Sequence, residues 1–249
     1  MNKYNIYIAN WKMNLNAEEA NQYISDFISI YKPDCNKEIV FCPSFTNLPI
    51  ISNKVNGLER ISFGAQNINE NDCGSYTGEI SASMIKQLCC KYGIVGHSER
   101  RKYFKETDQI INKKIKQLIY NNIIPVLCVG ENYRHRELGI SNDVVEKQMF
   151  DCLKGIATKS KNKILIAYEP VWAIGSGQSA EVKDISSMNS VIRNCMITLG
   201  FNIEQFYILY GGSVDIDNVI NLKSSDYLSG FLIGGASLNV QKFWNLIKK

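Results

Sequence analysis

The stretch Ile164-Leu165-Ile166-Ala167-Tyr168-Glu169-Pro170-Val171-Trp172-Ala173-Ile174-Gly175-Ser176-Gly177 decides how this chain is read. Ile164–Ala167 is a short apolar run with the branching of a buried strand. It stops at Glu169-Pro170, so a carboxylate stands at the carboxyl end of a buried strand, where a dry core gives way to a pocket. The segment that follows is odd for a loop. Val171, Trp172 and Ile174 gain nothing from water, yet they sit between Pro170 and Gly175-Ser176-Gly177. An apolar flap hinged by Pro at one end and Gly at the other accounts for that composition. A carboxylate beside a hydrophobic lid suits chemistry from which water is excluded.

Similar β-branched or aromatic runs recur on both sides of this stretch. They are Tyr4–Ala9, Glu38–Cys42, Ile61–Ala65, Gly93–Gly96, Ile123–Val129, Phe206–Tyr210 and Leu228–Ile233. Between most of them lie segments with helical spacing. One begins at Asn16, which forms a capping-box pattern with Glu19; Ala20, Tyr23, Ile24, Phe27 and Ile30 follow at steps of three and four. Others are Asp108–Asn121, Asp143–Gly155 and Val182–Gly200, the last two ending in glycines suited to a left-handed helix terminus. Eight strands alternating with helices predict a parallel sheet. Eight closes a (β/α) barrel, although a doubly wound open sheet would give a similar pattern. If the sheet closes, the polar residues after the strands converge on one face. Those residues are Asn10-Trp11-Lys12, His97-Ser98-Glu99-Arg100, Glu169, Gly211-Gly212-Ser213 and Gly234-Gly235.

Composition narrows the class. A chain of 249 residues, 45% hydrophobic, supports one substantial core. Its 28 basic and 24 acidic residues give a net charge of +4, and the lysines alternate with apolar residues, as on solvated helix faces rather than nucleic-acid patches. No apolar window approaches the ~18 residues of a membrane span, and the amino-terminal sequence does not have the pattern of a signal peptide. Eight cysteines without a CxxC pair or a sequon read as reduced thiols in a cytoplasmic protein. With only His97 and His135, and no Cys/His cluster, no metal site is expected. His135, in the charged run Tyr133–Glu137, reads as an exposed surface residue.

Five motifs, each following its own strand, carry a resemblance. Asn10–Asn14 (NWKMN), His97–Arg101 (HSERR), Ala167–Gly177 (AYEPVWAIGSG), Tyr210–Val214 (YGGSV) and Gly230–Leu238 (GFLIGGASL) resemble the triosephosphate isomerase family in order and spacing, from residue 5 to the carboxyl terminus. The resemblance implies a single-domain (β/α)8 TIM barrel over residues 1–249, with eight parallel strands ringed by helices. It implies a cofactor-free homodimer interconverting dihydroxyacetone phosphate and glyceraldehyde 3-phosphate. By residue, it implies Glu169 as the base, His97 as a neutral electrophile at a helix amino terminus, and Lys12 as a fixed positive charge paired with Glu99. Asn10 would contact substrate oxygens and Ser98 would hold Glu169 while the lid is open. Gly175, Ser213, Gly234 and Gly235 would bring N–H groups to the phosphate, and Tyr210 would latch the lid near Ala180. Ser176-Gly177-Gln178-Ser179 departs from the family's usual hinge, which puts the lid's opening rate in question. The polar loop Gln66–Ser81 carries GSYTGE, similar to an interdigitating dimer loop, with Thr77 and Gly78 at the interface and Glu79 fixing the loop. Another phosphate-binding barrel, an epimerase or a synthase, would share the glycines but not Lys12, His97 and Glu169 together. An inactive barrel with a binding role is the alternative of a different class.

Overall fold

The computed structural model describes residues 5–156, 163–173 and 180–249. Eight strands close into a parallel barrel in sequence order. They are β1 (Asn5–Asn10), β2 (Lys37–Cys42), β3 (Ile61–Ala65), β4 (Tyr92–Val95), β5 (Ile124–Val129), β6 (Ile164–Tyr168), β7 (Phe206–Tyr210) and β8 (Leu228–Ile233). β1 pairs with both β2 and β8, which closes the ring and excludes the open sheet.

The period-two alternation of each strand sorts its side chains into two cores. Ile6 and Ile8, Val40 and Cys42, Val126 and Cys128, Leu165 and Ala167, Leu209 and Leu232 fill the barrel interior. The alternate residues, Tyr7, Phe41, Phe63, Leu127, Ile166 and Phe231 among them, face the surrounding helices. Fully burying one such side chain contributes about 1.5–3 kcal/mol. The interior series continues past the strand ends without a break. Two residues beyond Ile8, Ala167, Leu209 and Leu232 come Asn10, Glu169, Gly211 and Gly234, and all four line one cavity. The alternation that builds the core therefore also aims the site.

Local signals set the helices. Asn16 and Glu19 form the expected reciprocal cap, with Glu19 N–H donating to Asn16 Oδ1 at 3.0 Å and Asn16 N–H donating to Glu19 Oε2 at 2.8 Å. The helix runs Ala17–Ile30 and buries Ala20, Tyr23, Ile24 and Phe27. Helices Asp108–Tyr120, Ser141–Leu153 and Val182–Thr198 fall within two residues of expectation. Gly155 and Gly200 end the latter two with φ of 69° and 88°, the left-handed region that glycine enters without strain. Helices Leu48–Val55 and Val240–Lys248 bury Leu48, Ile51 and Val55, and Phe243, Leu246 and Ile247, respectively. Residues 66–81 form neither helix nor strand. That loop is braced across its neck by Asn69 N–H donating to Ile80 O and by Asn69 Nδ2 donating to Glu79 Oε2, both at 2.8 Å. Among the described residues no helix is long and apolar enough to cross a membrane.

Candidate active site

A cavity of about 260 Å³ opens at the carboxyl ends of the strands, lined by residues that include Asn10, Lys12, His97, Glu169, Ser213 and Gly234. Packing below the first of these fixes the next. Trp11 is fully buried against Tyr23, with ring centroids 4.8 Å apart, and against Phe41. Lys12, one residue on, is forced to a φ of 54°, which costs a residue with a Cβ about 1–2 kcal/mol. Three hydrogen bonds hold the turn. Lys12 N–H donates to Asn10 Oδ1 at 3.2 Å, and Gln66 Nε2 donates to the carbonyls of Lys12 at 2.8 Å and Cys42 at 2.9 Å. The side chain runs over Gly234, whose Cα lies where an added Cβ would stand 3.4 Å from Lys12 Cε. Its ammonium meets Glu99 Oε1 at 2.6 Å.

His97 ends β4's extension and precedes the helix Ser98–Tyr103. Its Nδ1 accepts the N–H of Glu99 at 3.3 Å. An accepting nitrogen carries no proton, so the proton of the neutral ring sits on Nε2, which faces the cavity. Nε2 lies 3.1 Å from Glu169 Oε1, but the ring N–H is not aimed at that oxygen. Glu169 is 2% exposed. Its Oε2 accepts the backbone N–H of Ser98 at 2.9 Å, while its Oε1 has no hydrogen-bond partner. The contact expected of Ser98 is thus made by its backbone. One oxygen is anchored and the other is left ready to accept.

Room for this carboxylate comes from two neighbours without side chains. A Cβ on Gly211 would lie 3.0 Å from Glu169 Cγ, and a Cβ on Gly130 would lie 1.8 Å from the Glu169 carbonyl oxygen. Beneath it, burial first and the Glu169 charge second push the Cys128 thiol well above its ordinary value, so it remains a neutral packing group. Ser213, Gly234 and Gly235 line the far side of the cavity, and Gly234 precedes a short 3₁₀ turn, Gly235–Leu238, with no side-chain cap. Tyr210, fully buried, accepts the Ala180 N–H at 3.3 Å. Ile174, Gly175, Ser176, Gly177, Gln178 and Ser179 lie outside the described residues.

The sequence profile described as Triosephosphate isomerase matches residues 5–249. The chain belongs to the triosephosphate isomerase family. Among relatives bearing the name Triosephosphate isomerase, that of Dictyoglomus thermophilum is 44% identical over 246 residues, 98% of each chain. That of Endomicrobium trichonymphae is 41% identical over 240 residues, 96% of each chain. That of Mycoplasmopsis pulmonis is 40% identical over 247 residues, 97% of this chain and 96% of its own. The triosephosphate isomerase motifs quoted from the sequence converge in space: Asn10 and Lys12, His97, Glu169, Ser213, Gly234 and Gly235 share one cavity.

Two features went unread in the sequence. Glu131, 0% exposed, accepts from Trp172 Nε1 at 2.7 Å and Tyr168 Oη at 3.1 Å, tying the start of the apolar segment to the loop after β5. Burial raises its carboxyl above the ordinary range. His135 is not a plain surface residue. It is half-buried, caps its own turn reciprocally with Asn132, and lines a second cavity of about 460 Å³ on the other side of Glu169. The rest of the charged run Tyr133–Glu137 is exposed, as expected; His135 alone is partly covered.

Proposed function

We infer that the chain is an intramolecular aldose–ketose isomerase that interconverts dihydroxyacetone phosphate and D-glyceraldehyde 3-phosphate, a step of glycolysis and gluconeogenesis. The observation that carries this reading is the buried Glu169 carboxylate, with one oxygen anchored and the other unpartnered in a cavity shared with His97 and Lys12. Glu169 Oε1 takes a proton from the carbon beside the substrate carbonyl. The electron pair left behind forms an enediolate. His97 Nε2–H donates to the oxygen on which charge develops, and the Lys12 ammonium stabilises the same charge and the phosphate dianion. The carbonyl oxygen takes a proton from His97 Nε2, which regains one from the neighbouring hydroxyl, and return of the proton from Glu169 to the neighbouring carbon completes the exchange, so no cofactor and no metal are needed. Asn10 orients the substrate oxygens. Ser213, Gly234 and Gly235 receive the phosphate through backbone N–H groups, with Gly175 joining them from the lid. Glu99 holds Lys12, Ser98 parks Glu169, and Tyr210 latches the lid.

A coupled assay with glyceraldehyde 3-phosphate, inhibited by a phosphoglycolate-type compound, is expected to give isomerase turnover. Absence of turnover overturns the reading. Glu169→Asp withdraws the base by ~1 Å and is expected to lower kcat about 100-fold with KM little changed; comparable turnover in variant and wild type removes Glu169 from its role.

The working form we propose is a homodimer in the cytoplasm. Tyr76, Thr77, Gly78 and Glu79 are exposed on a loop braced at its neck, and Met13, beside Lys12, is 96% exposed. Contact through Thr77, Gly78 and Glu79 would steady the partner's Asn10–Lys12 turn. All eight cysteines are free thiols, which suits a reducing compartment. Disrupting Thr77 is expected to lower activity in step with dissociation, followed by sedimentation. A fully active monomer contradicts the dimer role.

A further inference from the structure

Glu169 is held from behind as well as from the cavity. Its N–H donates to Val129 O at 2.8 Å, and two residues on Val171 N–H donates to Glu131 O at 3.0 Å. These bonds straddle Gly130, whose own N–H and C=O point the other way. Both are taken up by one side chain from the helix Ser141–Leu153: Gln148 Oε1 accepts the Gly130 N–H at 2.8 Å, and Gln148 Nε2 donates to the Gly130 C=O at 3.2 Å. One carboxamide thus satisfies both backbone groups, which a neighbouring strand would satisfy with two separate peptide groups. Gly130 in turn presses on the Glu169 backbone so closely that a Cβ there would lie 1.8 Å from the Glu169 carbonyl oxygen.

We propose that Gln148 is a positioning residue for the isomerisation, fixing the Glu169 carboxylate by clamping Gly130 against the Glu169 peptide. The inference rests on the reading of Glu169 as the base. Gln148 lines the second cavity, behind the carboxylate, and is absent from the lining of the substrate cavity, so it acts through Gly130. Without the clamp Gly130 has two backbone groups to satisfy elsewhere, and the peptide it supports shifts. Ser213, Gly234 and Gly235, the residues read as receiving the phosphate after β7 and β8, are untouched. Loss of the clamp therefore lowers kcat and leaves KM nearly alone.

Gln148→Leu and Gln148→Glu test this by steady-state kinetics, with circular dichroism melts to count folded enzyme. Gln148→Leu is expected to lose about 10- to 100-fold in kcat, with KM within about twofold of wild type. Gln148→Glu offers a conservative rescue. A protonated glutamic acid has the same donor and acceptor as the carboxamide and makes both bonds, whereas its carboxylate opposes the Gly130 carbonyl. Its kcat relative to wild type is expected to approach one at acid pH and to fall as pH rises above the ordinary glutamate range of about 4.3. Arg101, Lys102, Cys128, His135 and Glu169 share that cavity and feel the new carboxylate, whereas Gln148→Leu removes the clamp without adding a charge, so the two variants together separate the clamp from the charge. A purely structural role lowers the melting temperature but leaves kcat per folded molecule and its pH ratio flat. A folded Gln148→Leu with wild-type kcat, or a pH-independent ratio for Gln148→Glu, overturns the inference. Glu169→Gln assayed alongside separates the two readings: if it loses turnover while the Gln148 variants keep theirs, only this inference falls, and if it keeps turnover the base itself falls.

Discussion

Two buried carboxylates stand at opposite ends of the same barrel. Glu38, 3% exposed near the amino end of β2, accepts from Lys91 Nζ at 2.6 Å, Ser62 Oγ at 2.7 Å and Tyr92 Oη at 3.4 Å. Glu169, 2% exposed past the carboxyl end of β6, has a single anchored oxygen. Burial is equal, so burial does not distinguish them. Satisfaction does. A carboxylate whose Oε1 gathers three donors, an ammonium among them, is committed to its neighbours and holds the fold, whereas one with an idle oxygen beside a neutral imidazole can take a proton from something else.

The sharpest way to break this contrast is to convert both carboxylates to amides. Glu169→Gln is expected to lower kcat by about 10²–10⁴-fold with little change in melting temperature. Glu38→Gln should do the reverse: wild-type kcat per folded molecule, and a loss of about 1–3 kcal/mol in urea unfolding. Similar profiles for the two would dissolve the distinction. A next step concerns the upper end alone. Lys12→Ala and Lys12→Gly are both expected to reduce kcat/KM by about 10²–10³-fold, yet the glycine variant should be the more stable by about 1–2 kcal/mol, because it relieves the left-handed backbone. Equal stabilities would mean that the turn is unstrained.

The smallest effect concerns Glu131, whose Oε1 accepts from Tyr168 and Trp172 while its Oε2 has no partner, and which lies outside the substrate cavity. Burial raises its carboxyl above the ordinary 4.5. In the window above that value the folded chain holds a proton that the unfolded chain has lost, so this group's contribution to stability falls as pH rises through the window. Glu131→Gln does not titrate. Its melting temperature relative to wild type should therefore climb from pH 4.5 upward and then level off. A constant difference across that range would show that Glu131 is not penalised by its surroundings.

The barrel and the cavity-lining residues were legible because each depends on local patterns. Alternation marked the strands, and the residues one step past the alternation, Asn10, Glu169, Gly211 and Gly234, were polar or glycine where core was due. What stayed hidden is what barrel closure alone creates. Gln66 reaches Lys12 across 54 residues, Glu131 meets Trp172 across 41, and Gln148 meets Gly130 from a helix that reads as merely amphipathic. Nothing in the neighbourhood of a glutamine in sequence reports that its amide will replace a strand. His135 misled for the same reason, since its burial comes from elements remote in sequence.

Closure of the ring has a consequence for how copies of this chain meet. β1 is paired on both sides, so the described sheet presents no bare edge on which another chain could be added as a strand. Association by backbone templating, the route to fibrous aggregates, is shut off by the architecture itself. Any contact between copies must be written in side chains and loops, where single substitutions can tune or abolish it without unravelling the sheet.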